Sequence, residues 1–157
     1  ADVVALYTSV LPRAMETAAL IADGLPEGLS AVADCDLCEL HPGEADGLTW
    51  RELVERFGAP GLDSDPDRPI APGAESWRGF HERCARAFDD LVARHRGERV
   101  VLVVHGGVVE SAMRRVLRAP VGVPLRLPTG NCAMSEVAVD DDGYRLVRYN
   151  DLAPLSA

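Results

Sequence analysis

Arg99-Val100-Val101-Leu102-Val103-Val104-His105-Gly106-Gly107-Val108-Val109-Glu110-Ser111-Ala112-Met113-Arg114-Arg115-Val116-Leu117 runs from an apolar stretch through a histidine and two glycines into a segment of helical spacing. The apolar run predicts a buried strand, and the segment after Gly107 predicts a helix. In open α/β sheets, ligands bind at the carboxyl ends of strands, facing helix N-termini. The unpaired backbone N–H groups and positive dipole of such a terminus favour an anion. His105 therefore stands where a phosphate ligand or proton carrier would stand.

Working outward, Val3 to Thr8 predicts a first strand. Pro12 suits the first turn of a helix running to about Ala22 and ended by Asp23-Gly24. Residues 30–37 predict a second strand. Thr49 is a candidate N-cap for a helix from Trp50 to Phe57, stopped by Gly58 and Pro60. Residues 59–73, with Pro60, Pro66, Pro69 and Pro72, predict a long exposed loop of the kind that often serves as a lid or binding loop. Residues 75–96 carry Trp77, Phe80, Cys84, Ala87, Phe88, Leu91 and Val92 at helical spacing. Residues 132–139 and 144–149 flank Asp140-Asp141-Asp142-Gly143, the signature of a hairpin. Strands alternating with helices and closed by a hairpin predict an α/β fold. The expected architecture is a three-layer α/β/α sandwich with a mostly parallel sheet.

The 157 residues suit one domain. A net charge of −9 disfavours nucleic acid, which needs a basic face, but leaves room for a local positive pocket. No apolar stretch approaches the ~20 residues of a membrane helix. Lysine is absent and all 16 basic residues are arginine, so an anion site must use arginine, histidine and backbone. Of the four cysteines, Cys35 and Cys38 have C-x-x-C spacing. A full zinc site would need a second close pair, and Cys84 and Cys132 are far apart in sequence. On a strand, Cys35 and Cys38 would also point to opposite faces. Reduced thiols, no metal and a cytoplasmic location are the expectation. A metal or redox domain built on this pair is the weakest of the functional readings.

Four groups could carry chemistry. Ser9 ends the first strand and Arg13 follows four residues later, with a planar fork suited to phosphate. Glu39 follows the second strand as a candidate general acid, with Asp36, Glu44 and Asp46 as competitors. Glu75 and Ser76 open a helix after the proline-rich loop and could touch a ligand, or could simply cap it. His105, with Gly106, is the fourth group. His41, His81 and His95 lie in ordinary loop or helix-face settings.

In this order the segments resemble the histidine phosphatase superfamily, the phosphoglycerate-mutase-like group. Residues 9–18, Ser9-Val10-Leu11-Pro12-Arg13-Ala14-Met15-Glu16-Thr17-Ala18, resemble its S-x-L-x-R-A-x-[QE]-T-A segment. Leu37 to Thr49 resembles L-x-E-x-x-x-G-x-x-E-G-L-T, with Asp46 in place of the second acidic residue. Gly73-Ala74-Glu75-Ser76 resembles G-G-E-S, and Val103-Val104-His105-Gly106-Gly107 resembles V-S-H-G-G. The matches run in family order from residue 7 to 151.

The resemblance implies phosphomonoester hydrolysis through a phosphohistidine intermediate, a form of covalent catalysis. A cofactor-independent phosphatase is favoured over a phosphoglycerate mutase, which usually carries a longer insertion after the Glu39 segment. By resemblance, Arg13, His105 and Gly106 bind the phosphoryl group, with His105 also stabilising transition-state charge. Glu39 would protonate the leaving oxygen and then activate water, and Ser9, Glu75 and Ser76 would line the substrate side. No metal or organic cofactor is implied. The expected partners are a small phosphorylated substrate and, as an option, a second copy of the chain in a homodimer.

One departure is large. The family's nucleophilic histidine lies in an Arg-His-Gly motif on a central first strand, and residues 1–157 contain no Arg-His-Gly. Arg94-His95-Arg96-Gly97 has an extra residue and ends a long helix. Losing that strand would leave buried ladder groups unpaired at ~1–3 kcal/mol each. The expectation is a single domain over residues 1–157 lacking its first strand and helix, with the motif on a preceding segment. The alternative is an inactive phosphatase-like domain that binds a phosphorylated ligand or a protein partner.

Overall fold

A computed structural model describes residues 2–153. Strand β1 (Val3–Thr8) lies between β2 (Ala31–Ala33) and β3 (Arg99–Val103), and both pairings are parallel. Helix α1 (Pro12–Ala22) connects β1 to β2. Helices α2 (Trp50–Phe57) and α3 (Trp77–Arg94) lie between β2 and β3, and α4 (Gly106–Leu117) follows β3. Strands β4 (Met134–Asp140) and β5 (Gly143–Asp151) form a separate antiparallel pair.

Strand alternation divides the core. Ala5, Tyr7, Leu102 and Val104 pack with Leu37, Phe80, Cys84, Phe88, Leu91 and Val108, beneath α3 and α4. The same alternation turns Leu6 and Thr8 to the other face. There α1 packs on β1, β2 and β3 and buries Ala14 and Ala18. Three layers of mixed α/β structure result, as expected. The apolar stripe of α3 is core.

Two helix starts follow from local chemistry. Pro12 occupies the first turn of α1, where its missing N–H costs nothing. Thr49 and Glu52 form a reciprocal capping box at α2.

Two expectations need correction. The second strand stops at Ala33, and residues 35–37 form a 3-10 turn. The Asp34 side chain accepts the Asp36 N–H at 2.9 Å, a local bond that competes with the ladder. Cys35 and Cys38 therefore do not point to opposite sheet faces: their sulfurs and His41 lie within 4.8 Å of one another. Nor is the proline-rich stretch wholly an exposed loop. Ile70 and Ala71 are buried in a second apolar cluster with Ala45 and Leu53. The hairpin strands also start two residues later and one earlier than expected, at Met134 and Gly143.

Among the described residues, no helix is long and apolar enough to cross a membrane.

Candidate active site

Strands β1 and β3 end side by side, with Thr8 opposite Val103. Beyond that register the chains stay joined, because the Ser9 N–H donates to the Val103 carbonyl at 3.3 Å. This places Ser9 beside His105. The Ser9 hydroxyl and His105 Nε2 are 2.7 Å apart, and both residues are buried. Ser9 Oγ also accepts the Leu11 N–H at 3.2 Å, which fixes the hydroxyl.

His105 is the N-cap residue of α4, yet its side chain makes no capping bond. The acceptor comes from elsewhere in the chain. Glu39 Oε2 accepts the Gly107 N–H at 3.0 Å, while Oε1 accepts the Leu40 N–H at 3.0 Å. A carboxylate thus occupies part of the anion-favouring terminus of α4. Gly107 is required for this contact: a Cβ there would collide with Glu39 Oε1 and the Phe80 ring. Gly106 differs, since a Cβ there meets nothing within 4 Å.

Burial and the positive charge of Arg13 lower the His105 pKa from its usual value, against the opposing pull of Glu39. Ser9, Arg13, Glu39 and His105 therefore belong to one electrostatic neighbourhood at the strand ends. Arg13 is exposed on the first turn of α1.

Glu75 and Ser76 are engaged differently. Ser76 caps α3 by accepting the Gly79 N–H at 3.1 Å. Glu75 forms a two-pronged ion pair with Arg83, at 2.8 Å to Nε and 2.7 Å to Nη2, and accepts the His41 N–H at 3.0 Å. Burial favours the neutral Glu75 carboxyl, but Arg83 and the His41 N–H outweigh it and hold the pKa below the usual carboxylate value. Arg83 Nη1 in turn donates to the carbonyls of Asp36 at 2.9 Å and Cys38 at 3.1 Å. The Glu75–Arg83 pair thus braces the segment that carries Glu39.

Sequence reasoning missed Arg83 and undervalued two histidines. His81 is buried, with Nδ1 hydrogen-bonded to Ser111 Oγ and the ring edge-on to Trp77 at 4.4 Å. Burial, aided by Arg114, lowers its pKa to about 4. Its position one residue after Phe80 and three before Cys84, on the apolar stripe, was the available signal. His95 Nε2 lies 2.8 Å from the Tyr7 hydroxyl, and Nδ1 lies 2.9 Å from Glu98.

Known proteins resemble this chain over nearly its whole length. Residues 1–152 match the model of the histidine phosphatase superfamily (branch 1). The metal-independent phosphoserine phosphatase of Arabidopsis thaliana is 32% identical over 160 residues, covering 98% of this chain and 64% of that protein. Phosphoglycerate mutase-like protein 4 of the same plant is 36% identical over 117 residues, covering 70% and 49%. The chain therefore spans less than two thirds of the length of these curated relatives. Among solved structures, Bacillus stearothermophilus YhfR superposes with a TM-score of 0.84 at 24% identity, covering 96% of this chain and 75% of that one. Mycobacterial glucosyl-3-phosphoglycerate phosphatase with VO3 superposes at 0.76 and 26% identity, covering 95% and 77%. The chain belongs to the histidine phosphatase superfamily.

Proposed function

We propose that this chain forms most of the domain of a cofactor-independent phosphatase that hydrolyses small phosphomonoesters through a phosphohistidine. The observation that carries this reading is the meeting of Ser9, His105 and Glu39 at the ends of β1 and β3 and the start of α4. Arg13 and His105 hold the phosphoryl oxygens, and the open space over Gly106 receives them against the helix terminus. Glu39 is held by the Gly107 N–H at the same terminus and by the N–H of its neighbour Leu40. From there it donates a proton to the leaving oxygen and later takes one from the attacking water.

Neither His105 nor His95 is the nucleophile in this reading. His95 sits at the far end of α3, bound to Tyr7 and Glu98. The nucleophile in this reading is the histidine of an Arg-His-Gly strand, a motif that residues 1–157 do not contain. Two features support a strand docking beside β3: among the described strands β3 pairs only with β1, and β4–β5 stands as its own sheet. Phosphatases among the similar proteins support hydrolysis. A cytoplasmic location and no nucleic-acid partner accompany this reading.

The test is hydrolysis of p-nitrophenyl phosphate by the full-length protein beside its His105→Ala variant. Turnover that falls steeply in the variant supports the role of His105. Equal activity in both would sink it.

A further inference from the structure

Cys35, Cys38 and His41 present Sγ, Sγ and Nε2 within 4.8 Å of one another, and Cys35 Sγ lies 3.7 Å from His41 Nε2. Tetrahedral zinc with Zn–S of about 2.3 Å and Zn–N of about 2.0 Å sets ligand atoms roughly 3.5–3.8 Å apart. The Cys35–His41 pair is close to that spacing, and all three ligand atoms already lie within 4.8 Å of one another. We propose that these residues form a binding site for one borderline-soft divalent cation of the zinc class. It has three protein ligands and a fourth position open to solvent.

The surroundings support a held site. The 3-10 turn that brings the two sulfurs together is capped by Asp34, and Cys38 N–H donates to the Cys35 carbonyl at 3.0 Å. Arg83, itself buried, donates to the carbonyls of Asp36 and Cys38 and locks the turn from behind. The second ring nitrogen of His41 faces Glu75, with Nδ1 3.6 Å from Oε2, near enough for a small closing movement to bring them together. A carboxylate behind a ligating imidazole fixes ring orientation and raises ligand basicity. Glu75 is itself held in place by Arg83, through bonds of 2.8 Å to Nε and 2.7 Å to Nη2.

Access and ligand chemistry also agree. Cys35 is exposed and the His41 side chain is 45% exposed, while Cys38 is buried. A cation would enter from solvent over Cys35 and His41. Two thiolates and one imidazole suit zinc and select against magnesium and calcium, which take oxygen ligands. As each sulfur–metal bond forms, the thiol proton passes to solvent, and two thiolates balance the charge of the dication. The site shares no side chain with Ser9, Arg13, Glu39 or His105, so it requires no metal in phosphoryl transfer.

The test titrates the reduced full-length protein with CoCl2, then with ZnCl2, and reads the absorption spectrum. The expected result is one tetrahedral cobalt per chain with a thiolate-to-cobalt charge-transfer band, displaced by zinc. Cys35→Ser should abolish that band, and Cys35 is exposed, so the variant should keep the native circular dichroism. His41→Ala should weaken zinc binding at least ~10-fold. Cys132→Ser should leave the band intact. Absence of the band in the reduced, folded protein overturns the proposal, as does a band that survives Cys35→Ser. If the reduced protein binds no cobalt but loses two thiols to a Cys35–Cys38 disulfide in air, the pair is a redox element instead.

Discussion

Ser9 Oγ and His105 Nε2 lie 2.7 Å apart across 96 residues of sequence, and the Leu11 N–H fixes the serine hydroxyl from the other side. Ser9 therefore orients the imidazole. His105→Ala should lower kcat/KM by about 10²–10³, the range seen when one transition-state donor is removed. Ser9→Ala should cost about 10-fold, since the ring stays but loses its anchor. In the double variant, the serine change should add little to the histidine change, because it acts through the same ring. Full multiplicativity in a double-mutant cycle on kcat/KM would show that the two residues act separately.

Proton linkage gives a second outcome. Burial and Arg13 keep His105 neutral to lower pH than an ordinary imidazole. A bound dianion favours the protonated ring and raises that pKa again. Anion binding should therefore take up a proton between the free and bound pKa values, and affinity should rise as pH falls through the bound one. Sulfate is the suitable probe because it does not titrate in this range. Calorimetry in buffers of different ionisation enthalpy should show uptake in the native protein and none in His105→Ala. Equal uptake in both would assign the proton to another group.

The two glycines after His105 should respond in opposite ways. Gly106→Ala adds a methyl to open space in a helical position. It should leave stability unchanged or raise it by up to ~1 kcal/mol. Because that open space is where the phosphoryl oxygens are proposed to sit, KM should rise. Gly107→Ala instead drives a methyl into Glu39 Oε1 and the Phe80 ring. It should lose stability and displace the acid, so kcat falls more than KM changes. Thermal melts and steady-state kinetics on both variants separate the two effects.

The sequence made the elements around the site readable where the signal was local. β1, α1 and α2 follow from an apolar run, Pro12 and the Thr49–Glu52 capping box. Ser9, Arg13, Glu39 and His105 could be named because each follows or ends a strand. Their pairings could not be read, since Glu39 reaches Gly107 across 68 residues. β2 ends sooner than the apolar pattern suggests, because the Asp34 side chain takes the Asp36 N–H and turns the chain away just after the Asp34 N–H makes its last bond, to the Thr8 carbonyl. That single choice also decides whether Cys35 and Cys38 diverge or meet. Arg83 was invisible as a brace, because its partners lie on a turn that only tertiary packing brings to α3.

His81 sets a pH limit on stability. Its pKa of about 4 in the folded protein lies below the ordinary 6.5. The unfolded chain therefore binds the extra proton first as pH falls. The stabilisation is fully present above about pH 6.5 and is lost progressively toward pH 4, with a ceiling of roughly 3 kcal/mol. Urea denaturation at pH 7 and pH 5 should show a steeper loss for the native protein than for His81→Leu, which cannot titrate. Parallel pH dependence in the two proteins would place the acid sensitivity elsewhere.

Arg83 offers the sharpest separation of bracing from chemistry. Its guanidinium holds Glu75 and the carbonyls of the turn leading into Glu39, yet it touches neither Ser9 nor His105. Arg83→Met keeps much of the volume and removes every one of those bonds. It leaves Glu75, whose side chain is 20% exposed, without its cation. Removing one partner of a buried pair costs about 3–5 kcal/mol, discounted here for that exposure. The variant should melt well below the native protein. In the fraction that stays folded, kcat should fall because Glu39 loses its brace, while sulfate affinity at Arg13 and His105 stays near native. If Arg83→Met lowered sulfate affinity as much as His105→Ala, then Arg83 would be acting on the anion itself rather than through Glu39.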